Sequence, residues 1–400
     1  MKILFTGDIC FREQMEMDGA LARQVLAPMQ SILAAADYRV MNLETPLAPE
    51  GVGAPIPKSG PAIIGRPQNA AFLTAAGCDL AVLANNHTGD YGPDALQYTL
   101  DTLDAAGVAH TGAGVNRAEA RKAVRTVIDG VKVSFLAMNE NEFGVADDVT
   151  PGSAGFELGD AGALLAQERA VSDLVIVVFH GGNEFNPLPS PGCRTRYRTL
   201  IRLGADAVIG GHTHCIQGYE YFLGKPIVYS MGNFLFKDTV KSTQWQCGYV
   251  TMLTLDGDKL TVQPTTYRTA ADASQIVPFA GETKAKMDAY IDALSAYIPD
   301  TARLSAMFEC WSVTYGFSYP ARFAGSDPLT AGMKNAAGLR NNLICEAHNE
   351  VCRTAYRLMF EQRVEDALSH RAELDALMRL PCDTDAPDSQ SNSQQFQPPQ

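Results

Sequence analysis

The sequence has few basic residues for its size, and this shortage excludes one class of partner. Lysine and arginine number 32 against 45 aspartates and glutamates, which gives a formal net charge of −13 over 400 residues. Nucleic-acid binding depends on basic patches that neutralise phosphates, so the composition argues against a nucleic-acid partner. The acidity suits local cation binding but carries no information about the fold.

Long apolar runs and paired cysteine motifs are also missing. No segment reaches the roughly 18 uninterrupted apolar residues that a membrane-spanning helix needs, and the apolar run after Met1 is too short for a signal peptide. The 9 cysteines are an odd number without CxxC or zinc-finger spacing, a pattern typical of reduced, mostly buried thiols. We therefore expect a cytoplasmic protein without a membrane span.

The chain is long enough to form more than one core. Hydrophobic residues make up 46% and charged residues 19% of the sequence, which is a globular composition. Over 1–270, strands alternate with helices at first and then dominate, which predicts an α/β sandwich of two packed sheets flanked by helices. Helical periodicity predicts a helical C-terminal region over 282–381. The polar, low-complexity tail over 383–400 is predicted to be disordered.

Residues of the metal-ligand type stand where predicted strands end. The clearest case is 208–214, where an apolar strand runs through two glycines into His212 and His214. Glycine permits close approach of the backbone, and histidine is the commonest neutral metal ligand. An isolated pair of loop histidines would be weak evidence, but other predicted strands end in similar residues. These are Asp8, Glu44, Asn86 with His87, and His180.

Open α/β sheets place ligands at the carboxyl ends of their strands, so we expect these side chains to converge. Two carboxylates, an asparagine and three histidines suit a pair of divalent cations of the zinc, manganese or iron type. Such a pair shares an activated water for attack at phosphorus. In this assignment Glu44 bridges the cations, Asp8 and His214 hold one, and Asn86, His180 and His212 hold the other. His87 is left to protonate the leaving group or to stabilise developing charge.

These residues lie in short blocks that resemble a known family. Gly7-Asp8, Asn86-His87, His180 and 211–214 are similar to blocks of the calcineurin-like metallophosphatase superfamily. More specifically, the chain resembles the CapA family of capsule-biosynthesis, or poly-γ-glutamate synthesis, proteins. That closer match covers roughly 1–240 and is carried by GDI at 7–9, NLE at 42–44, LANNH at 83–87, DYG at 90–92, HGGNE at 180–184, GADAVIG at 204–210 and SMGNF at 230–234.

The resemblance implies a four-layered α/β/β/α fold with a dinuclear metal site, while the reaction stays open. Cys10 stands where the wider superfamily has a histidine, so it is either a thiolate ligand or a packed bystander. The family has an arginine shortly after its Gly-Asp block, and Arg12 lies one position before the place expected for it. Arg12 is a candidate substrate contact. Glu184 is a candidate catalytic residue that orients a ligand imidazole or contacts substrate.

Several further residues have two open interpretations. Arg194 and Arg196 either meet an anionic substrate or lie on a solvated helix face. Asn233 is either a substrate contact or a structural turn residue with a side contact to the site. His110, His348 and His370 lack glycine-supported strand ends and are assigned to the surface or the core.

These features predict a metal-dependent phosphoesterase that acts on an anionic small molecule or polymer. One alternative is a non-hydrolytic accessory protein of capsule or poly-γ-glutamate assembly, which the family name suggests and the lack of a membrane anchor disfavours. Another is hydrolysis of an amide in a glutamyl polymer, because the same water can attack a carbonyl carbon. The sequence gives neither the metal, the natural substrate nor the oligomeric state.

Overall fold

The computed structural model describes residues 1–12, 15–237, 242–323 and 332–385. The strands are β1 (Lys2–Cys10), β2 (Tyr38–Leu43), β3 (Leu80–Val82), β4 (Ala109–Thr111), β5 (Ala113–Gly114), β6 (Val124–Ile128), β7 (Val131–Asn139), β8 (Gly152–Ser153), β9 (Leu174–His180), β10 (Ala207–Gly211), β11 (Tyr219–Phe222), β12 (Lys225–Val228), β13 (Asn233–Phe236), β14 (Cys247–Asp256), β15 (Lys259–Thr269) and β16 (Ile276–Pro278).

The helices before the last strand are α1 (Gly19–Leu26), α2 (Gln30–Ala34), α3 (Ala70–Ala75), α4 (Gly92–Ala105), α5 (Arg117–Ala120), α6 (Leu158–Arg169), α7 (Pro191–Arg202) and α8 (Thr243–Gln246). Those after it are α9 (Gly281–Tyr297), α10 (Thr301–Thr314), α11 (Ser318–Ala321), α12 (Met333–Ile344), α13 (Glu346–Phe360), α14 (Val364–Leu368) and α15 (Arg371–Leu377). Short 3₁₀ helices cover Ala27–Met29, Pro67–Asn69 and Pro381–Asp385.

Two larger sheets organise these strands. The first is 8-stranded with the order β16-β15-β14-β1-β2-β3-β4, and β13 pairs with β1 beside this path. Strands β1 to β4 are parallel neighbours, and β14 to β16 extend the sheet in antiparallel fashion. The second is 6-stranded, with the order β11-β12-β10-β9-β7-β6 and a parallel centre from β7 to β12. Parallel neighbours bring their carboxyl ends to one edge of each sheet.

The alternation of side chains along the strands separates three packed layers of apolar residues. Ile3 of β1 and Ile176 of β9 lie in one cluster between the sheets. Leu4, the next residue of β1, packs with α1, α3 and α4 on the outer face of the first sheet. Val177, the next residue of β9, packs with Leu200 of α7 on the outer face of the second. The predicted four-layered α/β/β/α sandwich is therefore confirmed.

Local departures from the sequence predictions have simple causes. The apolar pattern of 19–36 predicts one helix, but the segment is divided into α1, a 3₁₀ turn and α2, because Pro28 has no backbone N–H to continue the helical ladder. The strands β6 and β7 form a hairpin, and its turn residues Asp129 and Gly130 have φ values of 49° and 81°. These positive values belong to the primed turns that suit two-residue hairpins.

The helices from α9 to α15 share a core with the sheets. Leu294 and Trp311 belong to the same buried cluster as Ile3, so this region packs into the inter-sheet core at its open end. The 3₁₀ helix Pro381–Asp385 includes the first residues of the tail over 383–400 that is predicted to be disordered, and 386–400 lie outside the described residues.

Two predictions concern membrane spans and the state of the cysteines. In the part of the chain that the structure describes, no helix combines the length and apolar character needed to cross a bilayer. All 9 cysteines lie in that part, all are buried, and none forms a disulfide.

Candidate metal centre

The predicted ligand side chains converge where the carboxyl ends of the two sheets meet. They are Asp8 within β1, Glu44 after β2, Asn86 after β3, His180 at the end of β9, and His212 and His214 after β10. All of them are buried. Two groups of ligand atoms result, each with its atoms within 4.8 Å of one another: Glu44 with His180 and His212, and Asp8 with Glu44 and His214.

The first group is arranged around Nε2 of His180. Asn86 Oδ1 lies 3.0 Å from this nitrogen, His212 Nδ1 lies 3.1 Å away, and Glu44 Oε1 lies 3.4 Å away. Ligand atoms bound tetrahedrally at about 2.1 Å from a zinc-like ion are separated by about 3.4 Å. The three distances from His180 Nε2, 3.0 to 3.4 Å, are close to this separation.

The second group contains a histidine whose orientation is fixed from behind. Nδ1 of His214 lies 2.8 Å from Oδ1 of Asn233, and Nδ2 of Asn233 donates to the carbonyl of Trp245 at 3.1 Å. The amide therefore presents its oxygen to Nδ1, which must carry the proton, and Nε2 keeps a free lone pair 3.9 Å from Glu44 Oε1. Asn233 thus contacts a candidate ligand of the centre.

Glu44 is the carboxylate common to both groups. Both of its oxygens are buried and have no hydrogen-bond partner. A buried carboxylate without partners is costly, and burial, more than any neighbour, raises the pKa of Glu44 to about 8. A pair of cations on either side would offset that cost, so the residues present fit a dinuclear centre with Glu44 as the bridge.

The three candidate histidine ligands have the neutral protonation state that metal binding requires. Burial lowers the pKa of His180, His212 and His214, the last to about 3, so these imidazoles are neutral at pH 7. Burial and the nearby Glu44 raise the pKa of Asp8 to about 7. Asp8 also accepts hydrogen bonds from Asn42 Nδ2 at 2.6 Å and from the backbone N–H of His212 at 3.1 Å.

The backbone that carries the paired histidines adopts an uncommon conformation. His212 and His214 have φ values of 96° and 54°, in the left-handed region that non-glycine residues rarely occupy. A Cβ on Gly211 would lie 3.0 Å from Asp8 Oδ1. The turn is therefore tight against its partner ligand, and such strain is typical of functional sites.

Beside Glu44, His87 forms part of a buried chain of polar side chains. His87 Nε2 lies 3.9 Å from Glu44 Oε1, and Nδ1 lies 2.6 Å from Asp90 Oδ2. Asp90 also pairs with Lys58 Nζ at 2.5 Å. Asp90 precedes α4 but does not cap it, because the N-cap is Tyr91 and Asp90 is fully buried. Lys58 was missed because it lies in a Pro- and Gly-rich loop, where no local pattern indicates burial.

The arginines named as substrate candidates are engaged elsewhere. Arg194 is buried and donates to the carbonyl of Ile298 at 2.7 Å and to Thr301 at 3.2 Å, so it joins α7 to the C-terminal helices. Arg196 donates to Glu140 Oε1 at 2.6 Å. Neither interpretation from the sequence fits Arg194, because helical periodicity does not reveal what covers a helix face. Arg12 is half-buried just beyond β1.

Cys10 does not join the ligand set. Among the described residues, the candidate ligand groups do not include it, and it packs in an apolar cluster with Ile63, Phe236 and Trp245. This placement supports the interpretation of Cys10 as a packed bystander.

A cavity of about 650 Å³ opens directly beside the centre. Asn86, His87 and Glu184 line it on the side of the sheets, and burial raises the pKa of Glu184 to about 7. The opposite wall comes from the C-terminal helices. Its residues include Ser318, Tyr319, Arg322, Asn335, Asn341 and His348. His348 is therefore a cavity residue rather than an ordinary core or surface histidine.

A family model and several known proteins match the segment of the chain that carries this centre. The family model described as bacterial capsule synthesis protein PGA_cap covers residues 2–238. The chain is 31% identical over 170 residues to the capsule biosynthesis protein CapA of Bacillus anthracis, covering 40% of this chain and 41% of that protein. It is 30% identical over 224 residues to a probable polyglutamine synthesis accessory protein of Mycobacterium tuberculosis, covering 50% and 55%.

Solved structures give weaker likenesses. A hypothetical protein from Thermus thermophilus has a TM-score of 0.44 at 18% identity, covering 67% of this chain and 99% of that chain. A 5′-nucleotidase precursor from the same organism has a TM-score of 0.43 at 15% identity, covering 70% and 54%. These scores are too low to support an argument about activity.

The matches to relatives cover only part of those proteins, but the family match covers the segment that contains the candidate ligands. The chain spans 41% to 55% of the length of the curated relatives named above. The family match, by contrast, takes in more than half of this chain and every predicted ligand. The chain therefore belongs to the bacterial capsule synthesis protein PGA_cap family.

Proposed function

We propose that the chain is a metal-dependent hydrolase of phosphate esters that holds two divalent cations. The observation that carries the proposal is Glu44, whose two buried oxygens lack hydrogen-bond partners and which belongs to both ligand groups. Asp8 and His214 would complete one cation site with it, and Asn86, His180 and His212 the other.

Such a cation pair, when bound, supplies an activated water and neutralises the oxygens of a phosphoryl group. The chain's own contribution is the orientation of its ligands. Asn233 fixes the tautomer of His214, and the amide of Asn86 donates to Glu142 Oε2 at 3.1 Å, so its oxygen faces His180. Outer partners of this kind raise metal affinity by holding each ligand in its binding orientation.

His87 is the proposed acid for the leaving group. Its Nδ1 is held by Asp90 at 2.6 Å, and its Nε2 is directed toward the centre, 3.9 Å from Glu44 Oε1. The same residue lines the cavity, so a leaving group bound there lies within its reach. A cavity of about 650 Å³ has the size of a small-molecule site, or of a site for a few units of a polymer.

The proposal is tested by hydrolysis of p-nitrophenyl phosphate and bis(p-nitrophenyl) phosphate with Mn²⁺, Zn²⁺ or Fe²⁺ added. A His212→Ala variant should lose the activity, because it removes a ligand. His110→Ala is the matched control, since His110 pairs with the exposed Asp104 away from the centre. Equal rates in wild type and His212→Ala would show that the proposed metal-dependent mechanism is wrong.

A second candidate follows from the names of the relatives, which are described as a capsule biosynthesis protein and a polyglutamine synthesis accessory protein. In this alternative the chain binds a polymer of glutamate without hydrolysing it. Binding of poly-γ-glutamate should then persist in His212→Ala, with no phosphatase activity in either protein. Release of glutamyl fragments, lost in the variant, would instead indicate hydrolysis of an amide by the same centre.

A further inference from the structure

A third group of metal-ligand side chains joins the sheets to the C-terminal helices. Glu142 follows β7, whereas Cys345 is the N-cap of α13 and His348 lies in its first turn. One atom from each lies within 4.8 Å of the other two, and all three residues are buried. Cys345 and His348 stand outside the segment 2–238 that the family model matches. We propose that these residues form a third cation site, suited to zinc.

The spacing of the ligand atoms is that of a tetrahedral zinc site. Cys345 Sγ lies 3.7 Å from Glu142 Oε1, and His348 Nε2 lies 3.6 Å from the same oxygen. Zinc bonds of about 2.3 Å to sulfur and about 2.1 Å to nitrogen or oxygen separate adjacent ligands by about 3.6 Å and about 3.4 Å. The nitrogen–oxygen contact is too long for a hydrogen bond, so a shared cation accounts for the approach better than direct bonding.

The charges around these residues also favour a cation. Glu142 is buried, and its Oε1 lies 3.9 Å from Nε2 of His212 and 3.6 Å from Nε2 of His348. Cys345 Sγ lies close to a second carboxylate, 3.5 Å from Glu140 Oε2. The single S–H of Cys345 can donate to only one of the two carboxylates, Glu140 or Glu142. The other carboxylate then faces the lone pairs of the sulfur. Zinc would lie between the thiolate and Glu142, while Glu140 keeps its own partner, Arg196, at 2.6 Å.

The ring of His348 is held in a ligand-like orientation. Tyr319 stacks on it with ring centroids 4.4 Å apart. Asn341 Nδ2 lies 3.0 Å from His348 Nδ1, while the buried Asn341 Oδ1 has no hydrogen-bond partner. A half-turn of this amide pairs Oδ1 with a proton on Nδ1 and leaves the lone pair of Nε2 directed at Glu142.

The site has three protein ligands and faces the cavity, because Glu142 and His348 both line it. Zinc sites with three protein ligands keep a position open for water or substrate. Glu142 also accepts from Asn86, a ligand of the dinuclear centre, so the third cation lies directly beside that centre. If the proposed hydrolysis is correct, the third cation would bind a second anionic group of the substrate. The site itself does not depend on that function.

Cobalt(II) is a suitable probe, because cobalt bound to a thiolate gives a charge-transfer band in the near ultraviolet. The full chain, purified without a chelating column and stripped of metal, is titrated with Co²⁺ alone. We expect the band in wild type and in Cys10→Ser, and its loss in Cys345→Ser. His348→Ala should weaken Co²⁺ binding at this site while its circular dichroism stays that of wild type. Zinc content by elemental analysis should fall by one ion per chain in Cys345→Ser.

An Asp8→Asn variant separates this proposal from the proposed function. It should lose cations from the dinuclear centre and retain the thiolate band, so failure of one site does not imply failure of the other. A wild type without the band would overturn the third site. So would a band that disappears in Cys10→Ser and persists in Cys345→Ser, because the thiolate would then belong to the first strand.

Discussion

Two buried glutamates, Glu44 and Glu140, each follow a parallel strand at the same edge of the sandwich, yet their surroundings differ. Burial is the main cause that raises the pKa of both, to about 8 for Glu44 and about 7 for Glu140. Glu140 has a partner, since Oε1 accepts from Arg196 at 2.6 Å, whereas neither oxygen of Glu44 has one. The comparison teaches that burial alone does not identify a metal ligand. For Glu44, the absence of a hydrogen-bond partner is the additional observation that points to a cation.

The largest effect should come from exchanging each of these carboxyls for an amide. Glu44→Gln removes the bridge, so manganese content should fall below the wild-type value and phosphatase activity by more than about 100-fold, the usual limit for outer partners of a ligand. Glu140→Gln, the matched control, should keep the cations of the dinuclear centre. Elemental analysis measures the manganese content, and initial rates measure the activity. A normal manganese content in Glu44→Gln would show that Glu44 and Glu140 do not differ as proposed.

His87 sharpens the comparison, since it lies beside Glu44 but is proposed to act on substrate. His87→Gln should lower kcat by about 10²–10⁴-fold for an alkyl phosphate, whose leaving group needs a proton. The loss should be much smaller for p-nitrophenyl phosphate, because its leaving group departs as an anion. Manganese content should match wild type. An equal loss with both substrates would mean that His87 is not the acid.

The next prediction concerns Arg196, whose guanidinium group is the partner of Glu140. Arg196→Met leaves a buried carboxylate unpaired and should lower the free energy of unfolding by about 3–5 kcal/mol. Adding Glu140→Gln should recover much of the loss. Denaturant titration measures both, and Arg117→Met, which breaks an exposed ion pair with Asp148, is the control and should change little. A neutral Arg196→Met would show that the pair does not stabilise Glu140.

The six candidate ligands could be named from the sequence because each is a local signal, a polar residue at or near the end of an apolar strand. Sheet parallelism then brings the strand ends together, so Asp8 and His214 meet although the chain between them is long. Lys58, Glu142, Cys345 and His348 could not be found this way. Their neighbours depend on how the loops and the C-terminal helices pack against the sheets. The periodicity of apolar residues in the sequence does not indicate that packing. Arg194 shows the same limit, since its partners lie beyond residue 297.

Asn233 gives the smallest predicted effect, because it touches a ligand and not the cation. Asn233→Ala removes the acceptor that keeps the proton on Nδ1 of His214, so the ring can turn or change tautomer. Affinity for the cation at the Asp8 side should fall by about 10–100-fold, as for other outer partners of a ligand histidine. At saturating Mn²⁺ the activity should return, which separates this variant from Glu44→Gln. Asn116→Ala, which removes a helix cap at the surface, serves as the control. If Mn²⁺ titration gives the same affinity for Asn233→Ala as for wild type, the orientation of His214 is held by the backbone turn alone, and a carboxamide behind the ring contributes nothing to binding.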